Sequence, residues 1–220
     1  MDFYAKAREN MVECQLMPDG VSDEDILNAY MSVPREVFLP EQKRDVAYID
    51  EDLMLDDKRF ILEPSTHARM IQALNISKDE AVLDVACATG YSSAILSYLS
   101  NTVVALGQDE DISNIAKENC ENLGIYNVAF FTGELLSCCP DYAPYSAIIF
   151  NGALPRLPED VLDNLAVNGR LVYIERKPNA HIGSVIMIHK LKDDRYSRLN
   201  LFDAATPYLP GFDQKEEFVF

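Results

Sequence analysis

The sequence is short of positive charge, and that shortage excludes more than anything else it lacks. Its 220 residues carry 19 Lys and Arg against 36 Asp and Glu, a formal net charge of −17. Such a surface repels a phosphate backbone, so no nucleic-acid partner is expected. No apolar run approaches the roughly 18 residues a membrane span requires, so no membrane partner is expected either. The opening stretch MDFYAKARENMVECQL lacks the apolar core of a secretory signal, which makes a cytoplasmic location the expectation. The five cysteines are odd in number and include no C-x-x-C pair, which points away from a disulfide framework and a zinc site. The vicinal Cys138 and Cys139 read as small packing residues. The three histidines, His67, His181 and His189, are scattered, so each reads as solvated or satisfied in the core, and no metal is expected. A G-x-S-x-G elbow, a P-loop and the dinucleotide turn G-x-G-x-x-G are all missing.

What is there is ordinary globular composition, 48% hydrophobic and 25% charged, at a length that suits one α/β domain. The chain is organised around residues 81–96, AVLDVACATGYSSAIL. The apolar run over 81–86 predicts a buried strand, Cys87-Ala88-Thr89-Gly90 a tight turn, and 91–99 a helix. Strand, small-residue turn and helix form the unit that binds nucleotide-like cofactors at the carboxyl edge of a parallel sheet. Small residues let the backbone approach a ligand, and the first N–H groups of the helix face it. The alternative is an ordinary strand-to-helix turn, and only the surroundings decide between the two.

The surroundings alternate. Phe3, Ala7, Met11 and Val12 predict a helix over 2–16, ended by Pro18-Asp19-Gly20. Residues 22–25 predict an N-cap and acidic first turn for a second helix, stopped at Val33-Pro34. Residues 35–64 read as irregular, a functional or covering segment. Ser65 and Thr66 are expected to cap a helix running to about residue 74. Strands are then expected over 81–86, 102–106, 127–131, 147–150 and 170–176, with helices over 91–99, 112–123 and 158–165. Gly124 should close the second of these helices. Asn168-Gly169 reads as a turn, residues 185–191 and 198–202 as an antiparallel hairpin, and 207–220 as an extended tail. The expected fold is α/β: a mostly parallel seven-stranded sheet with helices on both faces and an antiparallel C-terminal hairpin. It should be a single domain over 1–220, with 1–64 as an N-terminal cover.

Residues 84–91, DVACATGY, resemble the acidic-x-Gly-x-Gly-x-Gly turn of class I S-adenosylmethionine methyltransferases with a Rossmann-like fold. The wider chain resembles the protein-L-isoaspartate O-methyltransferase family. The matching pieces are VPREVF (33–38), AYID (47–50), the turn through Ser92, Asn127-Val128, Gly133-Glu134, APY (143–145) and GRLV (169–172). They stand in the family's order. The resemblance implies transfer of the methyl group of S-adenosyl-L-methionine to the carboxylate of an isoaspartyl residue in a damaged protein or peptide. It implies that Asp84, Ala86, Ala88 and Gly90 hold the methionine part of the cofactor. It also implies that Glu134 meets the adenine amino group.

The sequence departs from the family pattern at defined positions. Ala86 and Ala88 stand where the family has glycines, and the acid expected to grip the ribose is replaced by Gly107. Gln108 or Asp109 is left to do that work, and a carboxylate restored at 107 is expected to tighten cofactor binding. The active-site hydroxyl position is Leu62, so no catalytic side chain is assigned, and Ser146 replaces an aspartate. Two readings stay open: an active methyltransferase, and a divergent member that acts as a binding or structural module. A nicotinamide-dependent oxidoreductase is disfavoured by the turn and by the missing ribose acid.

Overall fold

In the computed structural model, which describes residues 3–212, apolar periodicity in the first residues produces α1 (Phe3–Met11). It passes into a π-helical turn, Val12–Leu16. Helix α2 (Glu24–Ser32) begins at Asp23, whose carboxylate accepts from the backbone N–H groups of Asp25 and Ile26. The segment expected to be irregular holds two 3-10 turns, Arg35–Phe38 and Glu41–Val46, then a small hairpin of β1 (Leu53–Met54) and β2 (Phe60–Ile61). A buried arginine ties it together. Arg35 donates from Nε to the Ala47 carbonyl at 2.8 Å and from Nη2 to the Leu62 carbonyl at 2.8 Å, with its guanidinium 4.7 Å from the centre of the Tyr91 ring.

Helix α3 (Pro64–Leu74) corrects the expected cap. Pro64 occupies the first turn, where its missing N–H costs nothing, so Ser65 and Thr66 lie inside the helix. Their hydroxyls turn to Asp50 and Glu63. The alternation then runs β3 (Ala81–Val85), α4 (Tyr91–Ser97), β4 (Thr102–Gly107), α5 (Glu110–Asn122), β5 (Val128–Thr132), β6 (Tyr145–Leu154), β7 (Leu165–Glu175), β8 (Gly183–Lys190) and β9 (Tyr196–Ala204). The helix expected over 158–165 is a 3-10 turn, Glu159–Asn164, because β7 claims the chain from Leu165. Asn168-Gly169 is not a turn between elements but an irregularity within β7. Asn168 adopts φ +65°, and the β6–β7 register shifts between Tyr145 and Ala147.

The seven-stranded sheet has the order β5-β4-β3-β6-β7-β8-β9. The first five strands in that order are parallel, and β8 and β9 are antiparallel. Alternate residues face opposite sides. Val82, Val103, Ile149 and Val172 pack with core residues of all five α-helices. Leu83, Val104, Ile148 and Leu171 pack on the other face under the 3-10 turns at Leu135 and Val161 and under Leu209. Beyond β9 the chain returns to the middle of the sheet. Ala153 donates to the Pro207 carbonyl, and Leu209 donates to the Ala153 carbonyl, each at 2.9 Å. Residues 213–220 of the expected tail lie outside the described residues. Among the described residues no helix is long and apolar enough to cross a membrane.

Candidate functional site

Strand β3 lies between β4 and β6, and the chain leaves these neighbours in opposite directions. That reversal opens a crevice at the carboxyl ends of the strands. The turn from β3 into α4 forms its floor. Ala86 sits at φ +61°, Ala88 at φ +49° and Gly90 at φ +95°. The left-handed region costs an L-residue about 1–2 kcal/mol, so two alanines are held in a backbone shape that glycine adopts freely. Ala86 and Cys87 N–H both bond the Leu106 carbonyl, at 2.9 and 3.3 Å, and Gly90 N–H bonds the Cys87 carbonyl at 2.8 Å. Thr89 Oγ1 donates to the Phe38 carbonyl at 2.7 Å, while Asn119 donates to the Thr89 carbonyl at 3.0 Å. Strain of this kind persists only where the surroundings impose it. Gly90 is needed for another reason: a Cβ there would meet the Ala116 carbonyl oxygen on α5 at 3.1 Å.

The crevice has two adjoining lobes. An outer cleft of about 340 Å³, open to solvent, lies between Ala86, Ala88, Gly107, Gln108 and the returning Leu209 and Pro210. An inner lobe of about 250 Å³ reaches Leu62, His67, Tyr91 and Ser92. Phe60, Ala86, Ala88 and Asn151 border both. The structure therefore brings Ala86, Ala88, Gln108 and Leu62 together. Asp84 is fully buried behind the cavity, Gly90 supports the helix entry, and Glu134 is exposed beyond β5, bordering neither lobe.

At the β4 end, Gln108 donates from Nε2 to the Pro210 carbonyl at 2.8 Å, binding the tail to the rim. Asp109 is committed elsewhere: it caps α5 through the Ile112 N–H and pairs with Arg59 at 2.8 Å. A Cβ at Gly107 would lie 2.5 Å from Ser113 Oγ, so a side chain there requires that hydroxyl to shift. That hydroxyl is itself fixed, donating to the Asp109 carbonyl and accepting from Thr132 Oγ1. The gain expected from a carboxylate at 107 therefore carries the cost of displacing the Ser113 hydroxyl from its hydrogen bonds.

Behind the floor runs a buried polar chain. Asp84 accepts from Ser92 Oγ at 2.8 Å, Ser93 Oγ at 2.5 Å and Asn151 Nδ2 at 2.5 Å. Burial pushes its pKa up to about 6, against the pull of those three donors. Ser92 Oγ also lies 3.0 Å from His67 Nε2, and His67 Nδ1 lies 2.6 Å from the Tyr30 hydroxyl. Because Ser92 gives its proton to Asp84, the network assigns the His67 proton to Nε2, and Tyr30 donates to Nδ1. Burial, assisted by Arg35, lowers the His67 pKa to about 3, so the ring is neutral. His67 is the satisfied core histidine that the sequence suggests. Nothing local in the sequence marks Asn151, a strand asparagine, as a site residue. Its Nδ2 also donates to the Val85 carbonyl at 3.0 Å, and its Oδ1 is buried without a partner.

A family profile described as protein-L-isoaspartate(D-aspartate) O-methyltransferase matches residues 6–205. The protein-L-isoaspartate O-methyltransferase 2 of Pelobacter propionicus is 34% identical over 189 residues, covering 86% of this chain and 84% of that relative. Protein-L-isoaspartate O-methyltransferase 1 of Rhodopseudomonas palustris is 37% identical, over 77% of this chain and 69% of its own length. A solved structure titled protein-L-isoaspartate O-methyltransferase superposes with a TM-score of 0.81 at 26% identity, covering 93% of this chain and 66% of that one.

Proposed function

The chain belongs to the protein-L-isoaspartate(D-aspartate) O-methyltransferase family, and on that premise we propose that it transfers a methyl group from S-adenosyl-L-methionine to the carboxylate of isoaspartyl residues in damaged proteins or peptides. The observation that carries this reading is the β3–α4 turn, which keeps the glycine-like backbone at Ala86 and Ala88 although both residues are alanine. A shape maintained against its own residue preference, at the floor of a crevice, supports retention of the cofactor cradle.

The residues present fit the cofactor. The backbone over 86–90 would hold its methionine part, and the unpaired acceptor of Asn151 offers a place for a donor. Gln108 would take the ribose side. Glu134 follows Gly133, whose N–H bonds the Gly107 carbonyl at 3.0 Å; although it borders neither lobe, it would be the acceptor for the adenine amino group of a cofactor that extends past β4. When bound, the cofactor supplies an activated sulfonium methyl. The acceptor carboxylate is already a nucleophile, so the chain's own residues have to align it with that methyl and keep water away. Phe60 and Leu62 give the inner lobe an apolar wall, and Arg35 fixes it through the Leu62 carbonyl. A leucine at the hydroxyl position is compatible with this chemistry, because no proton has to move. The methyl ester then closes to a succinimide with loss of methanol, and hydrolysis returns part of it to aspartate. Residues 1–64 are the cover that holds the peptide, within a single domain over 1–220, and the setting is cytoplasmic.

Calorimetric titration with S-adenosylmethionine and S-adenosylhomocysteine tests the reading, followed by methyl transfer to an isoaspartyl peptide and its aspartyl twin. Binding and isoaspartyl-selective transfer are expected. No heat at millimolar ligand would reject it. Binding without transfer would select the second reading, a module that has lost catalysis, which Ala86, Ala88, Gly107 and Leu62 together motivate.

A further inference from the structure

We infer that Asn151 is a binding residue for the ammonium group at the amino-acid end of the cofactor, an inference that rests on the function proposed above. Side-chain amides are ambiguous in orientation when their partners both donate and accept. Here they are not. The two groups nearest the nitrogen are the Asp84 carboxylate, already accepting from two serine hydroxyls, and the Val85 carbonyl, which can only accept. The nitrogen must face them, which leaves Oδ1 for the cavity. Asn151 is 6% exposed and borders both lobes, and Oδ1 has no partner.

A buried amide oxygen left unpaired is costly, so a donor that enters the cavity gains by meeting it. A cation gains most. The Asp84 carboxylate beyond the amide draws its N–H groups and polarises the oxygen outward, so part of the negative charge behind the floor is felt at Oδ1. Asp84 cannot make that contact itself: it is fully buried and enclosed by Ser92, Ser93 and Asn151. The acid of the motif thus serves as a positioning residue, and the asparagine on the neighbouring strand β6 presents the acceptor. The requirement is a primary ammonium beside the turn at Ala86 and Ala88, which is where the amino-acid portion of the cofactor would lie.

The test compares three ligands by calorimetry: S-adenosylhomocysteine, its analogue with the ammonium replaced by hydrogen, and 5′-methylthioadenosine. The wild-type protein should bind S-adenosylhomocysteine roughly ten- to a hundredfold more tightly than the deaminated analogue. In Asn151→Leu that preference should vanish, while affinity for 5′-methylthioadenosine stays within about twofold, the form a ligand–residue cycle takes when the pair interacts. Because Asn151→Leu also strips a partner from Asp84, the wild-type protein supplies a second readout. The ¹³Cγ resonance of Asn151 should move with S-adenosylhomocysteine and stay in place with 5′-methylthioadenosine. Wild-type protein that binds S-adenosylhomocysteine without preferring the ammonium overturns this inference alone, as does a preference that survives in Asn151→Leu. Wild-type protein that binds none of the three overturns the proposed function with it.

Discussion

The two ends of the crevice have departed from the family pattern in different ways. At the β3 end the side chains changed and the backbone did not: Ala86 and Ala88 stand at the φ values of glycines, over a polar chain from Tyr30 to Asp84. At the β4 end the side chain that should act is gone and its space is taken by Ser113 Oγ, with Gln108 turned to the tail. A backbone shape held by many hydrogen bonds outlasts the loss of the residue that favours it. A contact carried by one side chain has to be supplied by another once that side chain is lost.

The largest effect should come from the buried chain. His67 has a folded pKa of about 3 against an ordinary 6.5, so below pH 6.5 the unfolded chain binds a proton that the folded one refuses. Its contribution is fully present above pH 6.5 and lost as pH falls toward 3. Comparing urea midpoints of wild type and His67→Gln across that window should show the wild type losing several kcal/mol more. A parallel pH dependence would mean that the ring is already solvated. Asp84, with its pKa pushed up, contributes the opposite slope between about pH 4 and 6, but it is present in both proteins and cancels. Removing it, as Asp84→Ala, takes the shared acceptor from Ser92, Ser93 and Asn151, of which Asn151 keeps the Val85 carbonyl, and should cost about 3 kcal/mol in chemical denaturation.

The β4 end should respond less and in a conditional way. Gly107→Glu alone should lose about 2 kcal/mol from overpacking against Ser113, with no gain in cofactor affinity. Paired with Ser113→Gly it should regain fold stability and bind S-adenosylhomocysteine more tightly. If the single variant already binds more tightly, Ser113 does not crowd position 107. The smallest change restores what the β3 turn favours. Ala86→Gly and Ala88→Gly should each stabilise the protein by about 1 kcal/mol, since relief of the left-handed alanine outweighs the added freedom of the unfolded chain. A loss of stability in either would show that the methyl group packs better than the backbone suffers.

Much of the sheet was legible because β3, β4 and β5 alternate with amphipathic helices, and periodicity reports burial. Residues 158–165 misled because Pro158 and an acidic pair signal a helix start, yet Leu165 pairs with Tyr145 in the sheet and cuts the helix to a 3-10 turn. Asn168-Gly169 looks like a turn for the same local reason that it makes a good strand irregularity: both uses need a left-handed residue. The site was half legible. The motif located Ala86 and Ala88, but Asn151, Ser113 and Pro210 enter from distant parts of the chain, and only the assembled sheet brings them to the crevice.

The stapling of Leu209 and Pro210 over β6 also sets a clock. The walls of the crevice run from Arg59 to Pro210, so a chain emerging amino end first from the ribosome has its floor long before its last wall. Nascent protein can complete the parallel strands while the pocket still lacks a side. A chain released before residue 209 would carry the sheet without the closed site. Competence to bind is therefore acquired only once residue 210 has left the exit tunnel.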